Sequence, residues 1–443
     1  MKSLFALSLF LYAFAWQLFE PVYQAAESIL VLLFLISFIR PSGGGLRRDP
    51  AFLICMALLA YLVLAFAYLH FTLPDGMEQN PRFSRYYLKP LLIVVIAYGL
   101  TRSHWLSPWS FLLAAWLGLA VTLLWQLDSQ ILQRFLAGRR MELQFLNAQH
   151  AGVVFATALI ALTIFLPRAI RPPHRTRYRV LWGLFFGVSI VLSLSMVLAT
   201  QVRAVSLGLL VTLPTGLLLY WLTHRNRERE QNGISGGPAL VAAALIITTT
   251  LSLTTFSNIG DRISNRFNIA EDINMEDLRG AISLTDIRMD GVYIRIASWS
   301  AATRWIAERP LIGWGPAVAK DLIDREEYFS RSFKRRFGHV HNSYLEVLVA
   351  LGMLGGGLLL ALTAWIGRCT ITAYRAGAMP RDAFIFAWVF FSFWGVVNLF
   401  ESYIMYNSGH VLNACIGGFV YYFHMKGRIE GAPGASAPSH VPQ

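Results

Sequence analysis

Residues 339–348 read HVHNSYLEVL and place two imidazoles, His339 and His341, at the threshold of an apolar run. Imidazole titrates near neutrality and is the side chain most often used as a general base. Just upstream, KRRF contributes Lys334, Arg335 and Arg336. Two more arginines lack an evident partner. Arg203 lies in LATQVRAVSLG, between two apolar blocks and with no acid nearby. Arg295 lies in DGVYIRIASWSAATRWIAERPLIGWG, where Gly291 and Trp299 occupy the positions four residues away. Arg304 differs, because Glu308 follows it by one helical turn. Arginine forks suit phosphate oxygens, and an unpaired arginine at membrane level is a candidate anion ligand. Plainer readings are a snorkelling arginine, a solvated basic run and interfacial histidines. A zinc reading of H-x-H lacks a third ligand of suitable type nearby in the sequence. A base beside arginines fit to hold a phosphate suits a phosphorylated substrate.

These residues sit in a chain of 443 residues, 56% hydrophobic and 14% charged. Soluble domains carry about 25% charge. Here the charges cluster between apolar blocks long enough to cross a bilayer as helices, which indicates a polytopic membrane protein. About twelve blocks are expected, near 3–18, 24–39, 51–71, 88–101, 107–126, 150–167, 180–199, 204–222, 238–257, 343–366, 382–400 and 405–424. The predicted fold is all-α, with nine spans in 1–257, a polar insertion over 258–341, and three spans in 342–425. The tail, 426–443, is rich in Gly, Pro and Ala and is expected to be disordered. The N-terminal MKSLFALSLFLYAFAW reads as a retained first helix, because no small-residue cleavage site follows it. Cys55, Cys369 and Cys415 suggest neither a disulfide pair nor a metal cage.

The net charge of +13 is read as loop bias rather than as affinity for nucleic acid. With the N-terminus cytoplasmic, one set of loops holds 18 of the 38 Lys and Arg residues, the opposite short loops seven, and the insertion the other 13. Both termini are therefore expected in the cytoplasm, with the insertion and its histidines outside. Arg139, Arg140 and His150 fall on that outer side and are candidates for binding phosphate. At the start of the tenth block, Ser343-x-x-Glu346 reads as a capping box and Asn342 as a helix-start residue. Gly352-x-x-x-Gly356 reads as a close-packing motif.

HNSYLEVLVALGMLG resembles the signature of the O-antigen ligase family: His, then Asn, Ser or Gln, then nine residues, then G-x-x-G. The matching positions are His341, Asn342, Gly352 and Gly355. Gly356 departs from the Thr often found next. Arg203, and Arg295 ahead of ERPLIGWG, match the family's two arginines. The resemblance is most specific over about 200–360 and implies a GT-C-like membrane fold. It also implies transfer of a polysaccharide from an undecaprenyl-pyrophosphate carrier to lipid A–core oligosaccharide, on the periplasmic side of a Gram-negative inner membrane. Arg203 and Arg295, with Arg139 and Arg140, would then hold the donor pyrophosphate. Lys334, Arg335 and Arg336 would meet acceptor phosphates, and His341, assisted by His339, would act as the base. No cofactor or metal is expected, and the partners are the donor, the acceptor and membrane lipids. The rivals are an O-antigen polymerase, a protein O-oligosaccharyltransferase of the same superfamily, and a lipid-linked sugar transporter. A transporter would show internal repeats, and none is evident.

Overall fold

The computed structural model describes residues 1–40, 44–74, 77, 81–126, 128–143, 145–170, 176–225, 291–316, 318–327 and 329–430. The ninth apolar block, residues 258–290 and the tail from 431 lie outside the described residues. Among the described residues the secondary structure is helical, without strands. The helices are α1 (Lys2–Ala15), α2 (Glu20–Ile39), α3 (Gly44–Arg47), α4 (Pro50–Thr72), α5 (Pro81–Leu88), α6 (Leu91–Arg102), α7 (Pro108–Gln126), α8 (Ser129–Leu136) and α9 (Ala148–Ala169). They continue as α10 (Thr176–Thr200), α11 (Arg203–Arg225), α12 (Gly291–Glu308), α13 (Val318–Arg325), α14 (Arg331–Arg336), α15 (Ser343–Arg375), α16 (Arg381–Val397) and α17 (Asn407–Glu430).

Every apolar block that falls within the described residues is a helix. Seven of them, α2, α4, α7, α9, α10, α11 and α15, are long and apolar enough to cross a membrane. The chain is a multi-pass membrane protein. The fourth block forms only the 12-residue α6, about 18 Å long against a hydrocarbon core of about 30 Å. It is nonetheless deeply buried, packed against α17 and α1. Helix α9 is the most enclosed of the long spans and contacts α10, α16, α11 and α17.

Helices α12 to α14, in the second part of the polar insertion, share a small core of Trp305, Trp314, Ile323, Phe333 and Val340. This core is fastened to the membrane helices at a break in α15. Gly352 leaves the helical region with φ 58° and ψ −166°. The segment Pro310–Gly315 fills the gap. Met353 and Leu354 N–H donate to the Pro310 and Leu311 carbonyls (2.8 and 3.1 Å), and Trp314 and Gly315 N–H donate to Val349 and Ala350 (2.8 and 2.9 Å). Tyr61 Oη of α4 stands 2.9 and 2.5 Å from the carbonyl oxygens of Ile312 and Leu351. The interrupted helix therefore recovers its lost hydrogen bonds from a distant segment, as buried backbone in a membrane requires.

The break corrects the glycine reading. A Cβ on Gly352 would lie 2.4 Å from the Leu311 carbonyl group, and one on Gly355 would lie 2.7 Å from the Tyr61 ring. At Gly356 the nearest groups are Leu348 and Val347 of the same helix. The working pair is Gly352 and Gly355, so the departure at Gly356 costs nothing visible. Gly352→Ala combines an overpacked contact with a disfavoured φ and should lose about 2–5 kcal/mol of stability. Thermal unfolding of the purified protein should show a midpoint several degrees lower. An unchanged midpoint would mean that the break is not held as described.

Candidate functional site

The docked break sets the histidines beside the turn between α16 and α17. Asn342, rather than Ser343, caps α15, its side chain accepting from Tyr344 and Leu345 N–H (2.9 and 3.2 Å). Ser343 is drawn away instead: its N–H donates to the Asn398 carbonyl and its Oγ to the Glu401 carbonyl (both 2.9 Å). Glu346 is also not part of a capping box. Its buried Oε2 accepts from Val340 N–H and Ser402 Oγ (both 3.0 Å), and Asn342 N–H donates to Ser402 Oγ (3.2 Å). These bonds stitch residues 398–402 to the segment carrying the histidines.

Glu401 is the product of that stitching. It is 1% exposed, and its Oε1 lies 3.5 Å from Nδ1 of both His339 and His341. The sequence reading passed over it. The signal available was a lone acid in LFESYIMYN, at the turn between two apolar blocks on the expected outer side. The match of types and distances also corrects the statement that H-x-H has no third partner. The three side chains offer ligand atoms within 4.8 Å of one another.

Hydrogen bonding separates the two histidines. His341 has φ 55°, an uncommon left-handed conformation, and its backbone N–H donates to His339 Nδ1 at 3.2 Å. His339 Nδ1 is thus an acceptor and carries no proton, so Glu401 is left to face His341 Nδ1–H. Both ring nitrogens of His341 are buried and make no hydrogen bond among the described residues, with Nδ1 3.5 Å from Glu401 Oε1. Burial, then the neighbouring His341, pushes His339 down to about 4, against the pull of Glu401. Burial alone would raise Glu401, but the imidazoles of His341, His339 and His150 hold it down at about 2. It is a carboxylate at any physiological pH.

Aromatic rings close the site. Phe337 meets His341 edge-on at 5.3 Å, and Tyr406 meets both His339 (5.6 Å) and His150 (4.8 Å). His150 is buried, with Nδ1 2.5 Å from Ser408 Oγ.

The arginines gather on one flank. Arg295 Nε donates to the Phe400 carbonyl at 3.2 Å, which anchors α12 next to Glu401. Burial pushes its guanidinium down, with Arg140 and Arg203 acting in the same direction and Glu401 and Tyr403 opposing. Arg140 and Arg203 thus act electrostatically on the same guanidinium. Arg203 opens α11 with its side chain exposed, not buried as its apolar neighbours suggested. The loop bearing Arg140 is tied to this corner by Met141 N–H to the Ala199 carbonyl (2.9 Å) and Gln201 Nε2 to the Gly138 carbonyl (2.8 Å). Arg139 is exposed. Lys334, Arg335 and Arg336 form the last turn of α14, with Arg335 and Arg336 exposed. Arg304 pairs with Glu326 at 3.1 Å, where the sequence pointed to Glu308.

Together these features define a polytopic membrane protein with an imidazole–carboxylate pair and a convergent arginine cluster at its helix ends. Residues 188–360 match the family model described as O-antigen ligase. No curated protein matches the chain. The matched span contains Arg203, Arg295, both histidines, Gly352 and Gly355. It ends before Glu401 and begins after Arg140 and His150.

Proposed function

We propose that the protein is an O-antigen ligase that moves a polysaccharide from undecaprenyl pyrophosphate to lipid A–core on the periplasmic face of the inner membrane. The observation that carries this reading is the buried imidazole of His341, with Glu401 Oε1 3.5 Å from its Nδ1 and Arg295 anchored next to Glu401 through the Phe400 carbonyl. The acceptor hydroxyl oxygen attacks the anomeric carbon of the donor as its proton passes to His341 Nε2. The bond between that carbon and the pyrophosphate oxygen breaks on the opposite face, so the configuration inverts. Glu401 holds the imidazole in the Nδ1–H tautomer and stabilises the imidazolium, the role a carboxylate plays in hydrolase triads. Arg203, Arg295 and Arg140 take up charge on the departing pyrophosphate. Arg139 is kept as a peripheral donor contact and Lys334, Arg335 and Arg336 as contacts for acceptor phosphates. His339 supports His341 through its backbone N–H and is a weak base near neutrality.

The same three side chains favour a second reading, a divalent cation held by His339, His341 and Glu401. Against it, His339 Nδ1 already accepts the His341 amide and would have to give up that bond to coordinate through this atom.

Reconstitution with purified donor and two acceptors tests the assignment. Product on lipid A–core supports the ligase, whereas product only on a second lipid-linked chain makes the protein a polymerase. For the arginines, charge-assisted bonds to phosphate predict that Arg203→Ala and Arg295→Ala each weaken binding of undecaprenyl pyrophosphate by about 10–100-fold. Arg203→Lys should remain defective because it loses the two-pronged fork. Wild-type binding by both alanine variants would remove the clamp.

A further inference from the structure

Beneath the site lies a cavity of about 440 Å³ between α7, α9, α10 and α17, with Trp16, just past α1, in its wall. Its position follows from helical spacing. On α9 the lining residues Val154, Ala158, Ala161 and Phe165 continue the face that carries His150. On α17, Leu412 and Ile416 continue the face of Ser408, the hydrogen-bond partner of His150. The cavity therefore begins one helical turn below His150. From Val154 to Arg168 it follows α9 for about 21 Å, two-thirds of a hydrocarbon core of about 30 Å.

Its wall is largely apolar, and two of its polar groups are engaged. Trp116 Nε1 donates to Ser189 Oγ (3.1 Å) and Thr157 Oγ1 to the Val153 carbonyl (2.8 Å). Such a cavity has little to offer water and suits a hydrocarbon chain. The two ends differ in charge. At the far end Arg168 is bound in a two-pronged pair to Asp382 (2.6 and 2.7 Å) and lies 4.2 Å over the Trp109 ring, so its charge is answered. At the near end Trp16, a wall residue, packs on Phe145 in the loop that carries Arg140, and Gln201 Nε2 ties that loop, at the Gly138 carbonyl, to the corner before Arg203. Neither Arg140 nor Arg203 has an ion-pair or hydrogen-bond partner for its guanidinium among the described residues. A lipid with an anionic head therefore fits head-up, toward the histidines.

We propose that this cavity holds the isoprenoid chain of the lipid-pyrophosphate donor, an assignment that rests on the function proposed above and adds where the lipid lies. The chain threads from the arginines down α9, which fixes the anomeric carbon at the membrane edge next to His341.

Photolabelling the full-length protein with a diazirine-bearing polyprenyl pyrophosphate, without sugar, tests this independently of catalysis. Label is expected on residues 154–165 and 411–416, displaced by excess undecaprenyl pyrophosphate and not by dioleoyl phosphatidylglycerol. Equal displacement by the phospholipid would make the cavity a general acyl-chain site and overturn the proposal. Ala161→Trp, or the smaller Ala158→Phe, fills the cavity and should weaken the long-chain pyrophosphate about tenfold or more through lost apolar contact. Binding of a two-isoprene pyrophosphate should be unchanged, which also shows that the variant is folded. Equal loss for both chain lengths would overturn the assignment. A protein that labels as expected yet transfers sugar to no acceptor would support the cavity assignment and sink the transferase reading.

Discussion

His341→Ala should lower transfer by roughly 10²–10⁴-fold, the usual cost of removing a general base, while the protein still inserts and binds donor. The group lost acts on the acceptor proton, so the defect belongs in kcat rather than in the affinity for undecaprenyl pyrophosphate. His339→Ala should be milder, because its contribution is one acceptor for a backbone N–H. Normal transfer by His341→Ala with a crippled His339→Ala would move the base two residues upstream.

The second large effect is expected at Glu401. Glu401→Gln keeps the shape but removes the charge that orients and stabilises the imidazolium, and should cost about 10²–10⁴-fold in kcat by analogy with triad carboxylates. A purely structural glutamate could show some loss too, so the informative readout is the split between kcat and donor affinity: kcat should fall with donor affinity little changed. Loss of donor affinity in step with kcat would make Glu401 a packing residue of the 398–402 turn. Glu401→Asp should recover part of the rate.

Much of this site could be read in the sequence, because its parts are local. The apolar blocks mark the helices, and the tight ATQVRAVS corner marks Arg203 between α10 and α11. The histidines sit at the head of α15, where the resemblance places them. What was not legible depends on tertiary contact. Glu401 lies sixty residues beyond His341 and reaches it only because the α16–α17 turn is stitched to Asn342 and Ser343. The cap was misassigned because Asn and Ser are both good N-caps, and only the pull of Glu401 and Asn398 on Ser343 decides between them. The glycines were read as a packing stripe because spacing does not reveal a helix break, nor that Pro310–Gly315 would fill it. The orientation of the chain in the membrane and the division at residue 258 remain expectations from charge placement. Cysteine labelling from the outside at Asp286 would check both.

The central claim is that His341, poised by Glu401, takes the acceptor proton without help from a metal. The most direct test is single-turnover transfer by purified wild-type protein in excess chelator, alongside His341→Ala, with the anomeric configuration of the product determined. The account predicts undiminished wild-type transfer, an inverted linkage, and loss in the variant. Transfer abolished by chelator and restored by a divalent cation would contradict it and assign His339, His341 and Glu401 to a metal instead.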